Sequence, residues 1–171
     1  SLEAGKLLAY QMGRLQQADP QELPFLDAQA GEKTRALLTQ LHSEKNTVGG
    51  IIECAAVGVP AGIGCPHFHG LENTISAAVF GVPAVKAIEF GSGMEVANLL
   101  GSENNDAYEV RNGSGMPTTN HAGGILGGIS TGAPIWFRCA LKPISSIGLP
   151  QNSVNLQTME PEQLIVQGRH E

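Results

Sequence analysis

The sequence predicts an α+β fold. Helical and strand-like patterns follow one another irregularly along the 171 residues, which favours antiparallel sheets with separate helices over the regular alternation of a doubly wound parallel sheet. Apolar residues make up 42% of the chain, which is enough for a packed core and argues against disorder. The 22 glycines and 10 prolines indicate many turns and close backbone approaches.

Three helices are predicted from apolar spacing and end signals. An apolar stripe predicts a helix over residues 2–17, and Pro20 ends it because the residue before a proline avoids the helical region. Asp27 can act as the N-cap of a second helix, which the polar residues 43–46 close. A third, short helix is predicted over residues 71–80.

Four strands are predicted from runs rich in β-branched and apolar residues. They cover residues 48–59, 82–90, 135–141 and 163–167. Residues 60–66 read as a turn-rich connection, and residues 94–100 as one or two helical turns after the glycines that close the second strand. Residues 101–119 are polar and irregular, and we predict a surface loop there.

Composition excludes several classes of protein. The formal net charge is −6 and no cluster of Lys and Arg exists, so we expect no nucleic-acid partner. No apolar run approaches the roughly 20 residues that span a bilayer, and the first 17 residues do not resemble a signal peptide. Cys54, Cys65 and Cys139 are odd in number and widely spaced, so we expect buried free thiols and a cytoplasmic protein.

Two stretches are candidates for ligand binding. Residues 120–132 contain five glycines among apolar residues, which suits either tight backbone packing or a backbone that lies close to a flat ligand. Residues 142–146 join a lysine, a proline and two serines at a strand end, which suits either an anion site or a solvated lysine. His67 and His69 lack a third ligand in the sequence, so no metal site is predicted.

Read in order, seven motifs make the chain resemble chorismate synthase. Each motif alone is weak, but their order and spacing are specific, and together they cover residues 24 to 171. They are residues 48–53, 58–64, 83–91, 101–103, 120–132, 142–147 and 168–170.

The resemblance implies a function and a fold. Chorismate synthases convert 5-enolpyruvylshikimate 3-phosphate to chorismate and phosphate by anti-1,4 elimination, in the shikimate pathway of aromatic amino acid biosynthesis. They require reduced FMN, which some members reduce with NADPH, and they form homotetramers. The implied fold places helices between antiparallel β-sheets, and this chain would be a single partial domain, residues 1–171.

The resemblance also assigns site residues. Glu171 stands where the family has an aspartate that assists proton transfer, so it is the candidate catalytic residue. The residues that would line the FMN are Pro83, Ala84, Gly127, Lys142, Pro143, Ile144, Ser145, Ser146 and Arg169.

Departures from the family pattern bear on activity. Ile144 replaces a hydroxyl residue on the flavin side, and Glu171 is one methylene longer than the family's aspartate. Family members are about twice as long, and their first half carries two catalytic histidines and arginine-rich motifs. The sequence therefore resembles a carboxy-terminal fragment, expected to be inactive alone and to self-associate.

Two other readings remain open at this point. The chain could be a non-enzymatic binding or assembly module derived from the enzyme, which the lost hydroxyl at Ile144 favours. It could also be an unrelated enzyme that binds a phosphate ligand at the glycine-rich stretch, although we identify no nucleophile–base pair for it.

Overall fold

The structure is a computed structural model that describes residue 25 and residues 27–111 and 113–166. The predicted helix over residues 2–17 lies outside that part of the chain. The fold divides into two compact units. Residues 51–141 make up the described part of the first unit, and residues 27–50 and 142–166 form most of the second.

A three-stranded sheet organises the first unit. Its strands are β1 (Gly50–Ala56), β2 (Val85–Phe90) and β7 (Ile135–Leu141), in the order β1-β7-β2. Strands β2 and β7 are antiparallel, and Phe90 pairs with Phe137, whose ring centroid lies 5.6 Å away. The three strands confirm predictions from the sequence, with β1 and β2 shorter than their apolar runs suggested.

Helix α1 (Ala28–Ser43) belongs to the second unit, and helix α2 (Leu71–Phe80) packs on β2 in the first. The side chain of Asp27 accepts a hydrogen bond from Ala30 N at 3.0 Å, which satisfies one of the free N–H groups of the first turn of α1. Both helices match the predicted ranges. Two 3₁₀ turns cover His67–His69 and Gly93–Asn98.

The prediction of an irregular loop over residues 101–119 was wrong. A short helix α3 (Gly101–Asn104) is followed by a hairpin of β3 (Tyr108–Arg111) and β4 (Ser114–Pro117). The sequence did not predict this hairpin because β4 contains a glycine and a proline, which are rare within strands.

A second, smaller hairpin lies in the glycine-rich stretch. Strands β5 (Ile125–Leu126) and β6 (Ile129–Ser130) pair antiparallel, and an isolated bridge joins Gly64 to Ile129. The apolar residues of this region supply the core: Ile125 is 2% exposed, and Ala133 and Ile135 are also buried.

The described part of the second unit includes a hairpin that the sequence predicted only in part. Strands β8 (Gln151–Asn155) and β9 (Glu160–Leu164) pair antiparallel. The last strand was predicted at residues 163–167, so it begins earlier than expected, and β8 was missed. Both strands are largely polar and exposed, which removes the alternating signal that marks a half-buried strand.

The expectation of three buried thiols was also wrong. Cys139 in β7 is buried, but Cys54 in β1 is only half-buried and Cys65 is exposed. Cys65 lies in the connection before the first 3₁₀ turn, where its neighbours are also exposed. Among the described helices, none is both long and apolar enough to cross a membrane.

Candidate functional site

Gly127 and Gly128 form the two-residue turn of the β5–β6 hairpin. Their φ angles are 59° and 84°. Two consecutive left-handed residues are typical of a type I′ turn, whose twist matches that of the strands it joins and which disfavours residues with a Cβ. This turn presents the most glycine-dense part of the sequence at the end of a short hairpin.

The glycines of this stretch have different surroundings. A Cβ on Gly123 would overlap the backbone nitrogen of Gly91, and one on Gly124 would overlap the carbonyl oxygen of Pro134. A Cβ on Gly128 would overlap the carbonyl oxygen of Cys65. A Cβ on Gly127 would meet nothing within 4 Å. Tight backbone packing therefore explains three of the glycines, whereas the backbone at Gly127 faces open space.

Ser130 ties the hairpin to the connection before α2. Its hydroxyl donates a hydrogen bond to Pro60 O at 2.7 Å and accepts one from Ile63 N at 2.9 Å. The residue is 4% exposed. Leu71 N, in the first turn of α2, donates to Gly128 O at 2.9 Å. The turn at Gly127 and Gly128 is thus held by side-chain and backbone bonds from a segment more than 50 residues earlier in the chain.

Asp106 holds the first residues of the glycine-rich stretch, residues 120–132, in place. Its carboxylate, which is 5% exposed, accepts hydrogen bonds from Thr119 Oγ1 at 2.7 Å, His121 N at 2.8 Å and Ala122 N at 2.9 Å. Burial alone would raise the pKa of Asp106, but these hydrogen bonds and the nearby His121 outweigh it and lower the pKa.

Ala84 has an unusual backbone conformation. Its φ is 72°, in the left-handed region that residues with a Cβ disfavour. It lies in the turn between α2 and β2, next to Pro83, which is exposed. Strained residues of this kind persist where the surrounding structure holds them, and they cluster at ligand sites.

In the second unit, residues 142–146 form an irregular segment after β7, in which residues 142–145 are exposed and Ser146 is half-buried. Thr47 Oγ1 donates to Ile144 O at 2.6 Å, and Gln151 Nε2 donates to Ser145 O at 3.3 Å. Lys142 is exposed, and no carboxylate of the described residues pairs with it.

The family model of chorismate synthase matches residues 6–171. The chain belongs to the chorismate synthase family.

Individual proteins that resemble the chain are also chorismate synthases. The chorismate synthase of Lancefieldella parvula is 88% identical over 171 residues, which is 100% of this chain and 45% of that protein. The chorismate synthase of Dehalococcoides mccartyi strain 195 is 43% identical over 145 residues, or 85% of this chain and 40% of that protein. A crystal structure of chorismate synthase superposes with a TM-score of 0.66 at 31% identity, covering 72% of this chain and 37% of that one. This chain thus spans less than half the length of these relatives.

The superposition supports part of the predicted fold. The chain has the mixed helix and sheet architecture of chorismate synthase, with small antiparallel sheets. Family membership also removes the third hypothesis, an unrelated enzyme that binds phosphate at the glycine-rich stretch.

The residues that family resemblance assigned to the flavin fall into three groups. Pro83, Ala84 and Gly127 lie in the first unit, and residues 142–146 lie consecutively in the second. Arg169 and the candidate catalytic Glu171 lie outside the described residues. That these residues line the FMN stays a prediction.

One polar cluster, formed by Asp106 and His121, was not predicted from the sequence. Asp106 lies 15 residues before His121 in a segment that we had assigned to a loop, and only the β3–β4 hairpin brings the two together. No sequence motif joins these two positions. Among the described residues, no group of three His, Cys, Asp or Glu side chains could hold a metal ion.

Proposed function

We propose that the chain forms the flavin-facing part of a chorismate synthase. The complete enzyme converts 5-enolpyruvylshikimate 3-phosphate to chorismate and phosphate with reduced FMN, as a step of aromatic amino acid biosynthesis in the cytoplasm. The observation that carries the proposal is the open backbone at Gly127 in a chain that is 88% identical to a chorismate synthase.

The side chains present fit a flavin. A glycine whose Cβ position is empty lets a flat ring lie close to the backbone, which a side chain would prevent. The exposed Lys142 supplies a positive charge for the anionic part of FMN. The hydroxyls of Ser145 and Ser146 form no hydrogen bond within the described part of the chain, so both are available as donors.

Reduced FMN supplies electron density and a proton acceptor to an elimination that involves no net redox change. This chain would position the flavin through Pro83, Ala84 and Gly127 and neutralise its charge through Lys142 and Arg169. Pro143 and Ile144 would complete the contact next to the two serines. Glu171 would hold the proton that the family's aspartate handles. NADPH would serve as the reductant where the family uses it.

Charge indicates that these residues do not bind the substrate alone. The substrate carries two carboxylates and a phosphate, and removing them from water requires several paired cations. The chain has 10 Lys and Arg against 16 Asp and Glu. We therefore propose that the rest of the enzyme, in a homotetramer with helices between antiparallel sheets, brings the arginines.

A substitution at Gly127 tests the flavin contact. Gly127→Asn keeps the hairpin, because Asn-Gly is the preferred sequence of a type I′ turn, but it adds a side chain on the open side. We expect reduced FMN to bind at least about tenfold more weakly in titrations that follow flavin absorbance.

Gly113→Asn is the matched control. Gly113 lies in the turn of the β3–β4 hairpin, has a φ of 78°, and would also place a Cβ in open space. This variant should bind FMN as the unchanged protein does. Equal affinity in both variants would remove Gly127 from the flavin site.

A chorismate assay tests the activity. The chain is mixed with reduced FMN, 5-enolpyruvylshikimate 3-phosphate and the segment of the Lancefieldella parvula enzyme that it does not match. We expect chorismate in the mixture and none with either part alone. A mixture that binds no FMN and forms no chorismate would overturn the proposal.

A non-catalytic binding or assembly module is the second candidate. It is favoured by Ile144, which is 43% exposed at a position where the family has a hydroxyl residue. Ile144→Thr restores that hydroxyl. A rise in FMN affinity would support the enzyme, and an unchanged affinity would support the module.

A further inference from the structure

The loop of residues 65–70 is anchored at both ends on Gly128. A Cβ on Gly128 would overlap the carbonyl oxygen of Cys65 and would lie 2.7 Å from the Cα atom of Gly70. Leu71, the next residue, donates its N–H to Gly128 O at 2.9 Å. The residues between the two anchor points therefore lie next to the turn of the β5–β6 hairpin.

Phe68 lies in this loop with its side chain in solvent. It is 87% exposed, the highest value among the large apolar residues of the described part of the chain. Two peptide units separate Phe68 from Gly70, so their Cα atoms are at most about 7.6 Å apart. Contact between a phenylalanine ring and water costs free energy, which a ligand that covers the ring would recover.

His67 holds the loop in an unusual conformation. Its φ is 61°, in the left-handed region that residues with a Cβ disfavour. Gly70 N donates to His67 O at 3.0 Å, and the ring centroids of His67 and Phe68 lie 6.2 Å apart with the ring planes tilted by 51°. Residues strained in this way cluster at ligand sites. The strained turn keeps the ring of Phe68 exposed beside the hairpin.

The space beside Gly127 indicates what covers this ring. A Cβ on Gly127 would meet nothing within 4 Å, although the neighbouring Gly128 is tightly packed. Residues 54–71 contain no Asp, Glu, Lys or Arg. Such a loop suits the flat ring system of a flavin better than its phosphate, because aromatic side chains stack on flat heteroaromatic rings without the help of charge.

We propose that Phe68 stacks on the ring system of the flavin that lies beside Gly127. The inference rests on the proposed function and adds a residue to it from a part of the chain that family resemblance did not assign to the flavin. Phe68 contacts the ring, whereas Lys142 neutralises the phosphate. The two residues should therefore respond differently to flavins that lack the phosphate.

Three flavins test the contact: FMN, riboflavin, which lacks the phosphate, and lumiflavin, which also lacks the ribityl chain. Each is titrated in its reduced form into the chain, alone and mixed with the unmatched segment of the Lancefieldella parvula enzyme, and flavin absorbance is followed. Phe68→Leu should bind all three about tenfold more weakly, which is the size of effect that loss of one stacking ring produces. Lys142→Ala should weaken the binding of FMN alone.

Two further variants serve as controls. Phe68→Tyr keeps an aromatic ring and should bind lumiflavin within about twofold of the unchanged protein. Phe80→Leu is the matched control, because Phe80 is 52% exposed at the opposite end of α2. It should bind all three flavins as the unchanged protein does. Phe68→Leu should unfold at the same urea concentration as the unchanged protein, since its side chain makes few contacts in the folded chain.

The outcomes separate this inference from the proposed function. Unchanged binding of lumiflavin by Phe68→Leu, a loss confined to FMN, or no binding of lumiflavin by a protein that binds FMN would each overturn the stacking contact alone. Normal flavin binding by Phe68→Leu with weaker sedimentation of the unmatched segment would make the rest of the enzyme the partner of Phe68. An unchanged protein that binds none of the three flavins in either condition would overturn the proposed function and this inference with it.

Discussion

Asp106 Oδ1 accepts the backbone N–H of His121 at 2.8 Å and lies 3.2 Å from Nδ1 of the same residue. One carboxylate thus holds both the main chain and the ring of the histidine that precedes the glycine-rich stretch. The other ring contact of Nδ1 is Asn104 O, 3.1 Å away. Because His121 O in turn accepts a hydrogen bond from Ser92 N, this contact positions the start of residues 120–132.

Asp106→Asn should destabilise the first unit by about 1–3 kcal/mol, because an amide cannot replace both acceptor oxygens of a carboxylate that is 5% exposed. Urea unfolding near neutral pH measures the change in free energy. Asp27→Asn should change it by less than about 0.5 kcal/mol, because Asn and Asp are equally good N-caps. Equal effects of the two substitutions would contradict this role of Asp106.

The stabilisation by Asp106 should depend on pH. Burial raises the pKa of Asp106, but the hydrogen bonds from Thr119, Ala122 and His121 lower it by more than burial raises it. The pKa of Asp106 is therefore lower in the folded protein than in the unfolded chain. The contribution is present above the unfolded pKa and is lost as pH falls through the folded one. The difference between the unchanged protein and Asp106→Asn should shrink from about pH 5 downwards. A difference that grows in acid would contradict the sign.

Two glycines of one stretch should respond differently to alanine. Gly123→Ala would overlap the backbone of Gly91 and strain a φ of 66°, so we expect a loss of at least about 2 kcal/mol. Gly127→Ala strains only its φ of 59° and should cost about 1 kcal/mol. Urea unfolding of both variants checks the order. The reverse order would show that the space beside Gly127 is not open.

Ser130→Ala should lower the free energy of unfolding by about 1–3 kcal/mol. The substitution removes the partner of both Pro60 O and Ile63 N, and a buried polar group without a partner is costly. Ser153→Ala is the control, because Ser153 is exposed in β8 and should change stability by less than about 0.5 kcal/mol. A neutral Ser130→Ala would mean that water replaces the hydroxyl.

The three cysteines should react with iodoacetamide in the order Cys65, Cys54, Cys139. Cys65 is exposed and Cys139 is buried. Burial, and then the proximity of Cys139, raises the pKa of Cys54, so its thiolate forms at higher pH than usual. Mass spectrometry of peptides labelled over a pH series measures the three rates. Faster labelling of Cys54 than of Cys65, or of Cys139 than of Cys54, would contradict the order.

Local signals in the sequence were sufficient to predict the longer helices and strands. Asp27 fixes the start of α1 through its own side chain, and the apolar run of Ile135–Leu141 is long enough to define a central strand. Where strands are short or polar, as in β4, β8 and β9, the same signals fail. Cross-strand partners rather than the strand's own composition stabilise such hairpins.

The sequence by itself determined the family, through the order and spacing of its motifs, and the helices and central strands, through contacts between near neighbours in the chain. Only the tertiary structure decided which glycine of residues 120–132 faces open space and which carboxylate holds His121. These depend on groups that are distant in sequence, such as Gly91 beside Gly123, and identical glycines cannot reveal such neighbours until the chain has folded.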